Sequence, residues 1–363
     1  MTSSLRGAHT RTDVPLRGYT TLRLGGPAAR FVSATTSQDV VVAVRAADRD
    51  GEPLLVLGGG SNLVVGDDGF AGTVVHVATE GRQVERGEDG VQLTVEAGED
   101  WDRVVAESVD LGFGGLECLS GIPGLVGATP VQNVGAYGVE VSELLVSVDL
   151  LDRTTGEVRT LRADELGLGY RTSVLKGTER AVVLRVRFRL TDDGKSAPIK
   201  YAELARTLAV APGERVPVEQ AREAVLGLRR DKGMVLDGDD RDTWSAGSFF
   251  TNPVLAEAEL PGVLAGIAAK VGEDVLVPTY PGSRESTVKL SAAWLIERAG
   301  FAKGHAGPGD RVRLSTKHTL ALTNRGQAST SDLLALAAEV RDGVRDAFGV
   351  TLHPEPVLVG CGL

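Results

Sequence analysis

One stretch of this 363-residue chain limits its fold more than any other: Ser120-Gly121-Ile122-Pro123-Gly124-Leu125-Val126-Gly127-Ala128-Thr129-Pro130-Val131-Gln132-Asn133-Val134-Gly135-Ala136-Tyr137-Gly138. Five of its nineteen residues are glycine, so it does not read as a regular element, yet its apolar residues mark it as buried. Buried irregular backbone must find partners for its N–H and C=O groups. A large polar cofactor is one source of partners, and tight self-packing is the other.

A second glycine run sits upstream. The short apolar strand Leu54–Leu57 ends in Gly58-Gly59-Gly60-Ser61-Asn62. Three glycines let the backbone curl with its N–H groups pointing inward, a nest that suits a phosphate or pyrophosphate. The plain alternative is a glycine-rich strand connection. No Gly-Lys-Ser/Thr follows, so this is not a P-loop, and it is not the GxGxxG pattern.

Three shorter signals carry possible chemistry. Tyr170-Arg171 offers a two-point carboxylate ligand. Ala246-Gly247-Ser248-Phe249-Phe250-Thr251-Asn252-Pro253 presents a serine between apolar residues. It lacks a GxSxG elbow, which disfavours a serine hydrolase. Leu352-His353-Pro354-Glu355-Pro356 holds a carboxylate stiffly between two prolines. Each also has a plain reading, as a surface arginine, a core strand with a satisfied serine, and an exposed terminal carboxylate. The five histidines have no metal-ligand spacing, so no metal is expected.

The length suggests two or three domains. Net charge is −10 with no basic run, which argues against nucleic acid. Cys118 and Cys361 are the only cysteines, as expected of free thiols in a reducing compartment. The segment Met1–Thr20 carries no apolar leader. No apolar run approaches the ~20 residues needed to span a bilayer. A cytoplasmic protein away from membranes is expected. Patterning predicts helices over 37–48, 100–111, 290–299 and 331–348, and strands near 22–32, 54–57, 73–77, 91–95 and 184–190. It also predicts a hairpin over 144–161 turning at Thr155-Gly156. The class is α+β with segregated elements.

Taken in order, these segments resemble the UDP-N-acetylenolpyruvoylglucosamine reductases from about Leu22 to Gly360. The residues that carry the resemblance are Leu57–Asn62, Gly121–Gly138, Tyr170-Arg171, Gly247–Pro253, Lys289–Gly304 and Pro354-Glu355. The resemblance implies an FAD-binding fold of the vanillyl-alcohol-oxidase-like type in two subdomains, residues 1–79 and 80–230. A separate α+β substrate-binding domain, 231–349, would follow, with 350–363 returning to the first subdomain. It implies that Leu57, Gly58, Gly59, Gly60, Ser61 and Asn62 cradle the FAD pyrophosphate. Gly121, Ile122, Pro123, Gly124, Gly127, Ala128, Gln132, Asn133, Gly135, Ala136, Tyr137 and Gly138 would wrap the flavin.

The implied reaction is NADPH-dependent reduction of UDP-N-acetylglucosamine enolpyruvate to UDP-N-acetylmuramate, in peptidoglycan synthesis. A hydride would pass from flavin N5 to the enolpyruvyl methylene carbon. Arg171 would stabilise the resulting charge, Glu355 would assist it and Ser248 would donate the proton. Tyr170, Tyr201, Lys232, Asn252, Tyr280 and Lys303 match substrate-side or nucleotide-side positions, and Tyr201 marks the subgroup with a tyrosine lid. The chain departs from the family pattern at His353 and Pro356 and in its long acidic segment 233–243. A monomer is expected. The alternatives are another FAD oxidoreductase of this fold, for which Cys118 would be the nearest tether, and a nucleotide-sugar binder that has lost its flavin.

Overall fold

The computed structural model describes residues 9–88, 90–282 and 285–363. The chain opens with β1 (His9–Pro15), β2 (Pro27–Ala34), α1 (Ser37–Asp50), β3 (Leu54–Leu57), β4 (Leu63–Val65), β5 (Phe70–Val77), β6 (Arg82–Gly87) and β7 (Gly90–Glu96). It continues through α2 (Trp101–Asp110), β8 (Gly135–Ala136), β9 (Val139–Glu140), β10 (Leu145–Asp152), β11 (Glu157–Arg162), β12 (Ala181–Leu190), α3 (Ala202–Leu208) and α4 (Val218–Asp231). It closes with β13 (Val254–Ala256), α5 (Leu260–Val271), β14 (Thr279–Pro281), β15 (Thr287–Leu290), α6 (Ala292–Arg298), β16 (Val312–Leu314), β17 (Leu322–Asn324), α7 (Thr330–Phe348) and β18 (Val357–Val359).

These elements form two units. Among the described residues, unit 1 holds His9–Val14, Ala28–Gly59 and Ala71–Asp231; unit 2 holds Pro15–Pro27, Gly60–Phe70 and Lys232–Leu363. Unit 1 contains a four-stranded sheet in the order β1-β2-β5-β3, with β3 and β5 parallel, and a five-stranded antiparallel sheet ordered β11-β10-β12-β7-β6. Helix α1 starts at a capping box between Thr36 and Asp39. It ends at Gly51, whose φ is 66°, a conformation that suits a residue without Cβ. β12 buries Val186 and Phe188 and turns Arg185 and Arg187 outward. Arg187 grips Asp149 of β10 with two hydrogen bonds, each of 2.8 Å, in the two-point geometry that favours arginine on a carboxylate. In the core, Trp101 packs on Phe188 and donates its indole N–H to Leu119 O at 3.0 Å.

Unit 2 has its own core around α7, made of Leu333, Leu336, Ala337, Val340 and Val344 together with Phe249, Phe250 and Leu295. Ser329 caps α7 and shares a capping box with Asp332. Asp67 accepts from the Thr330 N–H at 2.7 Å and from the Ser331 N–H at 2.9 Å. A carboxylate thus sits at the positive end of the helix dipole. β18 pairs in parallel with β4, which ties the C-terminal segment to residues 63–65.

Three sequence expectations change. Residues 22–26 are not part of a strand: β2 begins at Pro27, and Leu22 and Leu24 are buried in the core of unit 2. A Cβ on Gly26 would lie 2.0 Å from Asp67 O, so the backbone turns where a side chain cannot fit. Helix α7 starts one residue before its Ser331-Asp332 signal, because Ser329 makes the cap. The pattern reading also missed helices α3, α4 and α5.

The Arg311 hydrogen bond to Asp332, at 2.8 Å from Nε, leads the interactions that hold the Asp332 carboxyl well below the usual range. A folded-state value depressed in this way adds stability above the unfolded value of about 3.9, and the contribution is lost as pH falls through the folded value. Asp332→Asn is therefore expected to lower stability by about 1–2 kcal/mol at pH 7. Thermal melts should show the difference from the parent shrinking below about pH 4. A gap that stays constant down to about pH 3 would contradict this role.

Candidate functional site

In unit 1 the long glycine-rich segment folds as irregular backbone broken by one short 3-10 turn at Val126–Ala128 and by the two-residue strand β8. Some of its polar groups pair within the segment, as in Thr129 N–H to Val126 O and Val134 N–H to Thr129 O, both at 3.0 Å, and others are answered from neighbouring elements. Val126 N–H bonds to Glu99 O and Gly127 N–H to Ala97 O, both at 2.9 Å. Gly124 O accepts from the N–H of Trp101, the first residue of α2, at 3.0 Å. Gly121 N–H donates to the Asp102 carboxylate at 2.6 Å, and Gly121 O accepts from Arg229 at 3.3 Å. Burial works to raise the pKa of Asp102, but hydrogen bonds from Arg222 and Gly121 outweigh it and keep the carboxyl low. Arg222 makes two bonds to Asp102, at 2.7 and 3.0 Å.

Glycine is required where the two glycine-rich segments meet. A Cβ on Gly59 would lie 2.8 Å from the Gly124 Cα, so the contact is backbone on backbone. A Cβ on Gly127 would lie 2.5 Å from the Ala97 Cβ. Gly121 and Gly124 have φ of 69° and 127°, in the region that glycine alone enters freely. Leu57 is buried at the end of β3. The next residues, Gly59, Gly60 and Ser61, lie outside the strands, and among the described residues their N–H groups make no backbone hydrogen bond. The loop has backbone donors left over and no side chains to block an approach, which fits the pyrophosphate of a dinucleotide such as FAD.

Three residues with side chains also stand at positive φ in this part of unit 1: Asn133 (46°), Tyr137 (51°) and Arg171 (52°). Such strain persists only where the surroundings over-determine the backbone, and it gathers at working sites. Asn133 is almost fully buried; its amide donates to Glu140 at 2.8 Å and to Gly169 O at 3.1 Å, and it accepts from Ser142 N–H at 2.9 Å. Arg171 donates to Gly135 O at 2.6 Å and to Asn133 O at 3.4 Å, and its guanidinium lies 5.3 Å from the Tyr170 ring centre. Tyr137, its hydroxyl pKa pushed up to about 12 by burial, meets Tyr201 edge-on at 5.5 Å. Ile122, Pro123, Gln132, Ala136 and Tyr170 are half-buried, whereas Ala128, Gly138 and Tyr201 are exposed.

In unit 2 the structure brings Ser248 and Glu355 onto paired segments although they lie far apart in sequence. Glu355 N–H donates to Phe249 O at 2.9 Å, and Thr251 N–H donates to His353 O at 3.0 Å. Phe249 and Phe250 are buried beside the pairing, which anchors it. Ser248 is half-buried beside Gly247 (φ 73°), and its hydroxyl has no hydrogen-bond partner among the described residues. Asn62 donates to Glu355 O at 3.5 Å and accepts from Val357 N–H at 2.9 Å, so the end of the first glycine loop is tied to the same place. Pro356 is buried. Asn252 uses its amide oxygen to accept from Ala292 N–H at 2.9 Å, at the start of α6. Lys232 is half-buried, Lys303 is exposed, and Tyr280 is exposed on β14 opposite Lys289.

The acidic segment 237–242 has a structural partner in the same unit. Asp242 is buried and accepts from Thr316 N–H at 2.9 Å and from Arg325 at 3.2 Å, while Asp240 pairs with Lys317 at 2.6 Å. Sequence reasoning missed Asp102, Arg222 and Arg229, which hold the glycine-rich segment. Both arginines lie on α4, two turns apart. That spacing would have flagged them had α4 been recognised. Cys118 is fully buried in the core of unit 1, and burial raises its thiol pKa. Among the described residues no group of His, Cys, Asp and Glu is arranged to hold a metal, and no helix is long and apolar enough to cross a membrane.

Comparison with known proteins settles the family. A profile described as UDP-N-acetylenolpyruvoylglucosamine reductase, C-terminal domain, matches residues 239–359, and an FAD binding domain profile matches residues 28–162. The UDP-N-acetylenolpyruvoylglucosamine reductase of Saccharopolyspora erythraea is 69% identical over 98% of both chains. The enzyme of that name from Mycolicibacterium smegmatis is 53% identical over 99% of this chain and 98% of its own. The chain belongs to the UDP-N-acetylenolpyruvoylglucosamine reductase family. The crystal structure of the Thermus caldophilus UDP-N-acetylenolpyruvylglucosamine reductase matches with a TM-score of 0.63 and 26% identity, over 97% of this chain and 98% of that one. The fold class is thus an FAD-binding fold of the vanillyl-alcohol-oxidase-like type joined to an α+β reductase domain. The chain is an FAD-dependent oxidoreductase that uses NADPH to reduce UDP-N-acetylglucosamine enolpyruvate to UDP-N-acetylmuramate in peptidoglycan synthesis.

The backbone contact at Gly59 gives a direct test of the cradle. Overpacking of about 1–3 kcal/mol corresponds to roughly five- to 150-fold in affinity. Gly59→Ala is expected to weaken FAD by that factor, measured by titrating FAD into flavin-stripped protein. Unchanged affinity would remove the loop from the cofactor site.

Proposed function

We propose that Arg171, Ser248 and Glu355 carry the chemistry of substrate reduction, with roles divided by charge and proton. FAD, held by residues 57–62 and the 121–138 segment, would supply the two-electron chemistry between NADPH and the enolpyruvyl methylene carbon. Hydride arrival leaves negative charge on the neighbouring carbon and its carboxylate. Arg171 stabilises that charge, and its fixed guanidinium is the kind of preorganised donor that such catalysis needs. Glu355 assists Arg171, by hydrogen bonding when held protonated or by orienting the substrate carboxylate. Ser248 gives its proton to the neighbouring carbon as general acid. The observation that carries this reading is the Phe249–Glu355 hydrogen bond, which keeps Ser248 and Glu355 in fixed register.

Tyr170, Tyr201, Lys232, Tyr280 and Lys303 are assigned to the substrate and its phosphates. Asn252 joins them through its NH2 group, because its oxygen is committed to Ala292. The residues assigned to FAD are those of 57–62 and of the 121–138 segment set out above. A division into two FAD subdomains, 1–79 with 350–363 and 80–230, and a substrate domain, 231–349, belongs to the same proposal. So do a monomeric state and a cytoplasmic location.

The test separates the two half-reactions. Under anaerobic conditions one equivalent of NADPH should bleach the flavin, and UDP-N-acetylglucosamine enolpyruvate should restore its colour. Ser248→Ala is expected to bleach at the parent rate and recover about 10²–10⁴-fold more slowly. Recovery at the parent rate would show that Ser248 is not the proton donor, and loss of flavin would make its role structural.

A further inference from the structure

We infer that Lys176 is a positioning residue for the reduction of substrate: it holds Arg171 in its strained backbone conformation. The inference rests on the role given to Arg171 above. Gly169 and Thr172 exchange two backbone hydrogen bonds, of 3.1 and 3.2 Å, closing a tight turn with Tyr170 and Arg171 at its centre. Arg171 takes the third position of this turn with φ of 52°. Turns that need positive φ there normally place Gly or Asn at that position, since a Cβ makes the conformation costly. The conformation therefore has to be imposed from outside the turn.

Lys176 imposes it from the C-terminal side. Its ammonium donates to Arg171 O at 2.8 Å, across a short loop. That loop is itself pinned. Val174 N–H bonds to Leu166 O at 2.9 Å, Ser173 Oγ donates to Val131 O at 2.6 Å and Leu175 is buried. Lys176 is half-buried, so its charge-assisted bond is partly shielded from water and stronger than one on the open surface. From the other side, Asn133 Nδ2 holds Gly169 O at 3.1 Å. The peptide on each side of Tyr170-Arg171 is thus gripped by a side chain. The backbone being fixed, the guanidinium reaches Gly135 O and Asn133 O. If the Lys176 bond is lost, Arg171 is free to relax toward negative φ, which swings its side chain away.

The experiment compares Lys176→Met, Lys176→Arg and Arg171→Lys in the flavin-loaded enzyme. It follows anaerobic bleaching by NADPH, recovery with substrate, substrate binding to the oxidised enzyme by flavin absorbance change, and thermal melting. Misplacement of a catalytic group costs on the order of 10–10²-fold. Lys176→Met is expected to slow recovery by that factor with the bleaching rate unchanged, and Lys176→Arg should restore most of it. In an Arg171→Lys background, Lys176→Met should add little, because the group it positions is already gone. Equal slowing of both half-reactions with a lower melting temperature would reduce Lys176 to a structural role and overturn the inference. An unchanged recovery rate in Lys176→Met, with Arg171→Lys still slow, would overturn the inference alone. A normal recovery rate in Arg171→Lys would overturn the role of Arg171 itself.

Discussion

Where Gly59 lies against Gly124, backbone meets backbone with no room for even a methyl group. The rest of unit 1 can be read as what is needed to hold that contact. The segment after Gly121 has little regular structure and pairs only some of its own polar groups, so helices and strands must supply further partners from outside. Helix α2 contributes its first N–H to Gly124 and the carboxylate of Asp102 to Gly121. Helix α4 contributes Arg222 to that carboxylate and Arg229 to Gly121 O. Just beyond β7 stands Ala97, against which Gly127 packs. An irregular segment held at this many points behaves as a rigid surface, and a rigid surface is what lets a cofactor bind without the chain having to order itself around it.

Both units use the same means to fix the residues assigned to chemistry. Arg171 and Ser248 each stand at or next to backbone with positive φ. Arg171 is at positive φ between grips from Asn133 and Lys176, and Ser248 follows Gly247 at positive φ and precedes two buried phenylalanines. At Arg171 this is strain, about 1–3 kcal/mol, sustained by the contacts around it, whereas Gly247 takes positive φ freely. Those contacts also remove the freedom of the side chain to wander.

The glycine segments were legible in the sequence because glycine is a direct record of where backbone approaches backbone or turns through positive φ. Capped helices such as α1 and α2 were legible for a similar local reason. Thr36, Asp100 and Gly51 stand at their ends, and such end signals are read within a few residues. What stayed hidden depends on partners far along the chain. Nothing near Leu22 and Leu24 says that they leave the sheet of β2 for a core built mostly from residues beyond 245. Asp67 looks like an exposed loop acid until residues 330 and 331 are brought to it. The pairing of Phe249 with Glu355, and the charge of Arg222 on Asp102, belong to the same class. Helix α5 was missed for another reason. It is apolar but only Ile267 is buried, so it lacks the one-sided pattern by which a helix is recognised.

The proposed role of Ser248 as proton donor would give the backbone pairing around it a purpose, that of placing one hydroxyl. An alcohol is too weak an acid to protonate the substrate before hydride arrives, so proton transfer waits for the negative charge to develop. A stronger acid would be matched to its task by its pKa and could tolerate some freedom of position. A weak one has only proximity and orientation, for which a near-attack separation of about 3–3.5 Å is needed. On the proposed role, the backbone around Ser248 would have to meet that demand, through the pairing of 249–251 with 353–355, the two buried phenylalanine rings at 5.1 Å from each other, and the tie from Asn62 to Glu355. The same pairing sets the backbone of Glu355 in register with the residue after Ser248, so on the proposed roles the orientation of the substrate carboxylate and the delivery of the proton would be set by one structural element.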